Sequence, residues 1–182
     1  MKEITYSTHP EIKEDISPLY LSSFPASERP PLRYFYQGLE KNKENELYAY
    51  YDDDVFIGFS YLTSYKDIIY IFFLAVKESL RNKGYGSKIL TIIKDNNPDK
   101  VILLCYEEVD TKYKDYLSRK KRKDFYIKNG FKKNGLKTDE YGVIFETAYI
   151  GKHPVSFQDY EQIFIVGFGK GREKHLKEVK ED

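Results

Sequence analysis

A single cysteine, Cys105, in 182 residues removes two options at once: no intramolecular disulfide can form, and no thiolate cluster can hold a metal. The histidines offer no substitute, because His9, His153 and His175 lie far apart, without the close spacings that metal ligands require. Such a chain fits a reducing, cytoplasmic setting. Charge of one sign is equally scarce. Thirty basic residues stand against 29 acidic ones, for a formal charge of +1, so nothing global attracts nucleic acid or an anionic membrane, and any basic patch must be local. Long apolar runs are missing too. The longest, Ile68 to Val76, is about half of what a bilayer-spanning helix needs and reads as a buried strand. Met1 to Tyr6 lack the apolar core of a signal peptide, and no internal repeat or interdomain linker is visible.

What the chain has in quantity is rings: 18 Tyr and 12 Phe bring aromatics to 16% of the residues, so the core and any pocket should be ring-rich. The length fits one domain with a sizeable core. We expect that domain over residues 1–171, followed by an almost wholly charged, flexible tail over 172–182.

Hydrophobic spacing orders the elements. A first strand falls near Ile4 to Ser7. Ile12, Ile16, Leu19 and Tyr20 then have helical spacing, with Pro18 expected to interrupt any long helix. Pro30 and Pro31 suit the first turn of a second helix through Leu32, Tyr34, Phe35 and Leu39. Leu47 to Tyr51, the turn Asp52 to Asp54 and Val55 to Tyr65 form a hairpin with a bulge near Gly58. Ile68 to Val76 follows, apolar at nearly every position as a strand covered on both faces should be. Tyr85, Ile89, Ile92 and Ile93 mark a helix that ends near Asn96 to Pro98, and Val101 to Tyr106 is another buried strand. Strand, helix and strand from Ile68 to Tyr106 have the form of a right-handed parallel crossover. A helix from Tyr116 to Asn129 closes on Gly130, two strands meet around Asp139 to Gly142, and Ser156 with Asp159 caps a short helix. The fold class is α/β, of the α+β kind: one mixed central sheet of about six to seven strands flanked by helices.

The segment that carries chemistry is Val76 to Ser87, a basic, glycine-containing loop joining a buried strand to an amphipathic helix. Gly84 and Gly86 let the backbone approach an anion. The unpaired amides of the first helical turn point at that anion with the helix dipole behind them, and Arg81 and Lys83 add charge. An ordinary solvated loop is the bland alternative. Arg81, Gly84 and Gly86 fill the places of the Arg/Gln-x-x-Gly-x-Gly/Ala signature, and Arg122 to Phe131 ends in Tyr-x-x-x-Gly-Phe. On these two segments and the order of elements from Ile4 to Ile150, the chain resembles the GNAT superfamily of acetyl-CoA-dependent N-acetyltransferases. Glu78 departs from the pattern, standing where a proline often precedes the loop.

The resemblance implies a GNAT-like fold and acetyl-CoA as co-substrate, with no metal. Main-chain groups of Leu74, Ala75 and Val76 would hold the pantetheine arm, and Arg81, Asn82, Lys83, Gly84, Tyr85, Gly86 and Ser87 the pyrophosphate. Tyr126 would bind beside the CoA sulfur and donate a proton as the thiolate leaves. For the base that takes the acceptor's proton, Glu107 is favoured over Glu108 and Asp110, because it directly follows an apolar run and should be partly desolvated. Glu28, Arg29 and Arg33 fall on the acceptor side in this family, where an arginine could clamp a carboxylate or phosphate. A small-molecule amine is the expected acceptor, and neither nucleic acid nor membrane is an expected partner. A homodimer through the final hairpin or C-terminal helix is compatible with the sequence. The rival reading is a CoA-binding regulatory module without turnover. Cys105 reads as a small buried hydrophobe, and Lys120 to Lys123 as a solvated face or, on the resemblance, the wall near the CoA 3′-phosphate. Gly167 to Gly171 lacks P-loop spacing and reads as a helix stop.

Overall fold

Two prolines and a pair of aspartates set the first boundaries of the fold. The structure, a computed structural model, describes residues 1–26, 29–171 and 173–180. Among these residues the order is β1 (Lys2–Thr5), α1 (Lys13–Ser23), α2 (Leu32–Lys41), β2 (Asn45–Asp52), β3 (Val55–Tyr65), β4 (Ile68–Val76) and α3 (Tyr85–Asp95). It continues with β5 (Val101–Glu107), α4 (Tyr116–Lys128), β6 (Lys132–Glu140), β7 (Val143–Ile150), α5 (Phe157–Phe168) and β8 (Leu176–Glu178). Among the described residues this is an α+β fold with five α-helices and eight strands, one strand beyond the upper expectation. The backbone divides into two compact units, Met1–Ser64 with Ile71–Pro98 and Tyr65–Tyr70 with Asp99–Asp182.

In the first unit the strands run in the order β1, β2, β3, β4, with β1 and β3 antiparallel to β2. Asp53 and Asp54 turn the β2–β3 hairpin at φ 47° and 63°, a left-handed pair that Asp tolerates better than most side chains. The ladder passes from Tyr50↔Gly58 to Tyr51↔Phe56, so Ile57 is the extra residue of a bulge beside Gly58. Pro18 lies inside α1 and does not end it, contrary to the expectation. The ring removes one helical hydrogen bond, while Ile16, Leu19 and Tyr20 are buried around it and hold the helix to the core. Pro31 serves as the N-cap of α2, just outside the first turn.

Rings fill this unit. Tyr20 meets Phe35 at 4.3 Å and Phe73 at 5.2 Å between centroids, Phe24 meets Phe73 at 5.0 Å, and Phe35 meets Tyr61 at 5.0 Å. These tilted and edge-on pairs add to the gain from area buried. The Tyr20 hydroxyl donates to the Pro30 carbonyl at 2.7 Å, which ties the end of the α1–α2 connection to the same cluster.

The second unit orders its strands β5, β7, β6, β8, with β7 antiparallel to both neighbours. Tyr141 and Gly142 turn the β6–β7 hairpin at φ 55° and 85°. At the end of α4 the Phe131 amide bonds the Tyr126 carbonyl at 3.1 Å and Gly130 adopts φ 90°, the helix stop that Gly130 leads one to expect. Ser156 caps α5, its Oγ accepting from the Asp159 amide at 3.2 Å. The charged end is not frayed where it is described. Leu176, Lys177 and Glu178 form β8 against β6, because Leu176 is buried and His175 stacks on Tyr141 at 4.6 Å. Arg172, Glu181 and Asp182 of the expected tail lie outside the described residues.

A polar chain crosses this unit's interior. The Tyr70 hydroxyl donates to Cys105 Sγ at 3.0 Å and lies 2.9 Å from the Tyr160 hydroxyl, and Tyr160 donates to Glu140 Oε1 at 2.6 Å. Burial lifts the Glu140 carboxyl from 4.5 to about 7, against the opposing hydrogen bonds from Tyr160 and Thr138.

Two outcomes follow from this packing. A Cβ on Gly58 would lie 2.1 Å from the Ala75 carbonyl oxygen, so Gly58→Ala should displace the end of β4 and cost about 1–3 kcal/mol, read by denaturant unfolding. The native state holds a proton on Glu140 that the unfolded chain releases between 4.5 and about 7. That contribution is fully present at low pH and is lost as pH rises through 7. Glu140→Gln should therefore flatten the fall in stability over this range, and a pH series of unfolding midpoints measures it.

Candidate active site

The expected donor half of the site is built by one turn of chain. β4 delivers Leu74 and Val76 half-exposed while Phe73 and Ala75 are buried, so the strand is anchored by alternate side chains as it reaches Val76. The Lys77 amide bonds the Ile57 carbonyl at 2.9 Å, which fixes where the chain leaves the sheet. A short 3-10 turn, Glu78–Leu80, follows, so Glu78 opens a turn where the family often has proline. Asn82 and Gly84 both take positive φ, 62° and 84°, and Gly84 is the N-cap of α3.

The first amide of α3 with a backbone partner is that of Lys88, bonded to the Gly84 carbonyl at 3.1 Å. The amides of Tyr85, Gly86 and Ser87 precede it and have no backbone acceptor among the described residues. They are the orphan donors of a helix N-terminus, carrying its positive end. Nothing lies within 4 Å of where a Gly84 Cβ would be, so the space in front of the turn is open. Arg81 Nε donates to the Val76 carbonyl at 3.3 Å, which keeps the guanidinium over the loop. Lys83 is exposed beside it, and the Tyr85 hydroxyl donates to Asp52 Oδ2 at 3.0 Å and pins the turn to the β2–β3 hairpin. The residues from Leu74 to Ser87 expected at the donor site are thus brought together, and they fit a pyrophosphate: free amides, an open glycine and two cations.

Glu107 and Tyr126 also come into one neighbourhood, in the second unit. Glu107 ends β5 with 4% of its surface exposed, and Arg122 Nη1 of α4 donates to its Oε2 in a close ion pair. The carboxylate is buried as expected, but one oxygen faces a guanidinium where an acceptor amine was expected. Tyr126, one helical turn beyond Arg122, stacks on Tyr106 at 6.1 Å and meets Phe131 at 5.8 Å. No hydrogen-bond partner for its hydroxyl is present among the described residues. Burial pushes the Tyr126 hydroxyl up to about 12, the Arg122 charge pulling against it, so it carries its proton at neutral pH.

Glu108 is held near 2 by Lys112, with further hydrogen bonds from Tyr113 and Lys137, and is a poor proton acceptor. Glu146, facing Lys123 at 2.8 Å and the Tyr106 hydroxyl at 3.5 Å, completes the group. The sequence reading took the 120–123 run as a solvated face or the wall near the CoA 3′-phosphate, and so missed the carboxylate partners of Arg122 and Lys123. Lys120 does pair with Asp124 on the surface, whereas Arg122 and Lys123 turn to carboxylates. The usable signal was the four-residue spacing from Arg122 to Tyr126. Cys105 is a hydrogen-bonded thiol that burial pushes well up.

The acceptor-side residues are less engaged. Arg29 Nε donates to the Phe24 carbonyl at 2.8 Å, with its guanidinium 5.5 Å from the Tyr20 ring centre, and so braces the α1–α2 connection. Arg33 is exposed and folds over Tyr34, while Glu28 lies outside the described residues. No group of three or more metal-ligating side chains gathers among the described residues, and none of their helices is long and apolar enough to cross a membrane.

A family model described as the acetyltransferase (GNAT) domain matches residues 43–133, which include both the loop and the Tyr126 helix. The chain belongs to the GNAT acetyltransferases, whose acetyl donor is acetyl-CoA. No curated protein matches the sequence. Among solved structures, a Bacteroides thetaiotaomicron protein described as a GNAT-family acetyltransferase superposes with a TM-score of 0.74 at 20% identity, covering 93% of this chain and 99% of its own. An aminoglycoside 6′-N-acetyltransferase complexed with coenzyme A gives 0.64 at 18%, covering 86% and 98%. The aminoglycoside 6′-N-acetyltransferase of Enterococcus faecium gives 0.60 at 18%, covering 82% and 96%. At these identities the likeness is one of fold.

The open, left-handed turn at Gly84 generates a prediction. Gly84→Ala forces a Cβ into φ 84°, at a cost of about 1–2 kcal/mol. It should weaken acetyl-CoA binding while leaving space for the ligand, which calorimetric titration would report.

Proposed function

We propose that this protein transfers the acetyl group of acetyl-CoA to the amine of a small-molecule acceptor by direct attack while both are bound. The observation that carries this is the N-terminus of α3, where unpaired amides, the open turn at Gly84 and the charges of Arg81 and Lys83 converge at the end of β4. In this reading the main chain at Leu74 to Val76 holds the pantetheine arm as an added strand, and the loop from Arg81 to Ser87 takes the pyrophosphate.

The acceptor nitrogen forms a bond to the thioester carbon and the carbon–sulfur bond breaks. Tyr126 gives its proton to the departing sulfur, and the surplus proton of the amine returns through solvent to the phenolate. Positioning of the two substrates supplies most of the acceleration. Arg33, exposed on α2, is the side chain of the acceptor segment left to meet an acceptor anion, since Arg29 is braced on the backbone. The aminoglycoside acetyltransferases among the structural relatives make polyamine sugars a reasonable first set of acceptors to try. The working compartment we propose is the cytoplasm.

Thermal unfolding with and without acetyl-CoA is the test. Ligand at about a hundred times its dissociation constant should add about 2.7 kcal/mol to the native state. Gly86→Glu, which places a carboxylate among the orphan amides, should abolish the rise in melting temperature. No rise with the wild-type chain at millimolar ligand would overturn the donor assignment.

A further inference from the structure

We infer that His153 is a pH-sensitive pin: with both ring nitrogens protonated it clips the connection from β7 to α5 onto the turn between β3 and β4, and loss of one proton releases it. The device lies wholly within the second unit and is independent of the donor site. Counting protons leads to it. His153 Nδ1 lies 3.0 Å from the Pro154 carbonyl oxygen, and Nε2 lies 3.0 Å from Asp67 Oδ2. A carbonyl and a carboxylate only accept, so each nitrogen has to donate, and an imidazole carries two N–H groups only as the cation. In either neutral tautomer one nitrogen lone pair would face an oxygen lone pair at that distance, and the ring would have to turn away.

Two anchors that do not titrate limit what the pin controls. Gly151, at φ 141°, is pressed against Val101, where a Cβ would lie 2.9 Å from the Val101 Cα. Val155 is buried and bracketed by Asn134, whose Oδ1 accepts from the Val155 amide at 2.6 Å and whose Nδ2 donates to the Val155 carbonyl at 2.8 Å. Between them residues 152–154 are exposed, and among the described residues they are otherwise tied only by the wide pair of Lys152 with Asp99 at 3.8 Å.

The charges around the ring come from three other elements. The β3–β4 turn supplies Asp67 and Lys66, the start of β5 supplies Asp99 and Lys100, and α5 supplies Asp159. Lys66 is taken up by Asp159 at 2.7 Å and Lys100 by the Lys66 carbonyl at 2.8 Å. The Pro154 carbonyl first, and then Asp67, hold the second ring proton more firmly than in a free histidine, and His153 in turn lowers the Asp67 carboxyl. The ordinary histidine value is 6.5, so the contribution of the pin is fully present below it and is lost as pH rises through the raised folded value.

The experiment follows ring and amide signals of the isotope-labelled full chain by NMR from about pH 5 to about pH 9, the range that spans a histidine titration. Both ring nitrogens of His153 should carry protons at the acid end, with a midpoint above 6.5. Asp67→Asn removes the charge and keeps an acceptor oxygen, so it should lower that midpoint. The Lys152 and His153 amides should gain fast motion across the titration while the Val155 amide stays rigid. In His153→Ala, which also identifies the ring signal, the Lys152 amide should be mobile throughout. Glu140 titrates in the same range, so the series is repeated in Glu140→Gln, where the transition at residues 152 and 153 should persist. A His153 midpoint at or below 6.5, a midpoint unmoved by Asp67→Asn, or motion at 152 and 153 that ignores the titration would overturn the inference. Disappearance of the transition in Glu140→Gln would do the same, by moving the switch to the buried carboxyl.

Discussion

The backbone of β4 passes so close to Gly58 that the Ala75 carbonyl fills the space of a side chain, and the loop proposed to hold the donor hangs on that contact. With the strand pressed there, the Ile57 carbonyl receives the Lys77 amide and the chain is released from the sheet at one fixed point. The 3-10 turn, the left-handed residues at 82 and 84 and the start of α3 follow within ten residues. Behind the strand, Phe73 is gripped by Tyr20 and Phe24, so the aromatic excess is spent holding the element from which the loop departs. A bulge next to Gly58 lets β3 bend at the same place.

Much of this was legible in the sequence because it is local. The hairpin turns are written in Asp53, Asp54 and Gly142, the cap of α5 in Ser156 and Asp159, and the turn that opens α3 in Gly84. What escaped depends on partners distant in the chain. Pro18 has a local propensity to stop a helix, overruled by the burial of Ile16, Leu19 and Tyr20. Arg122 and Lys123 look like solvent-facing cations until β5 and β7 place Glu107 and Glu146 opposite them. Leu176 is one apolar residue among charges, too weak a period to announce a strand, and only the ladder with β6 reveals it.

The electrostatics of the second unit follow one rule: each deep carboxylate has a dedicated partner. Glu107 meets Arg122, Glu146 meets Lys123, Glu108 gathers Lys112 and Lys137, and Glu140 accepts from two hydroxyls. Glu140 is the one without a cation among these, and its affinity for protons rises accordingly. Acidic residues that look interchangeable as a loop cluster are therefore sorted by depth and partner into distinct chemical types.

The short β8 covers one stretch of the margin of the second unit, residues 138–140 of β6. β6 would otherwise present open amides and carbonyls along residues 138–140, the kind of margin that invites another chain to add itself as a strand. Three residues suffice to occupy it, and Lys177 and Glu178, both exposed, make the outer side of the added strand an unwelcoming template. A second copy adding itself as a strand along residues 138–140 would have to displace this strand first, so residues 176–178 guard that stretch of β6 against sheet extension.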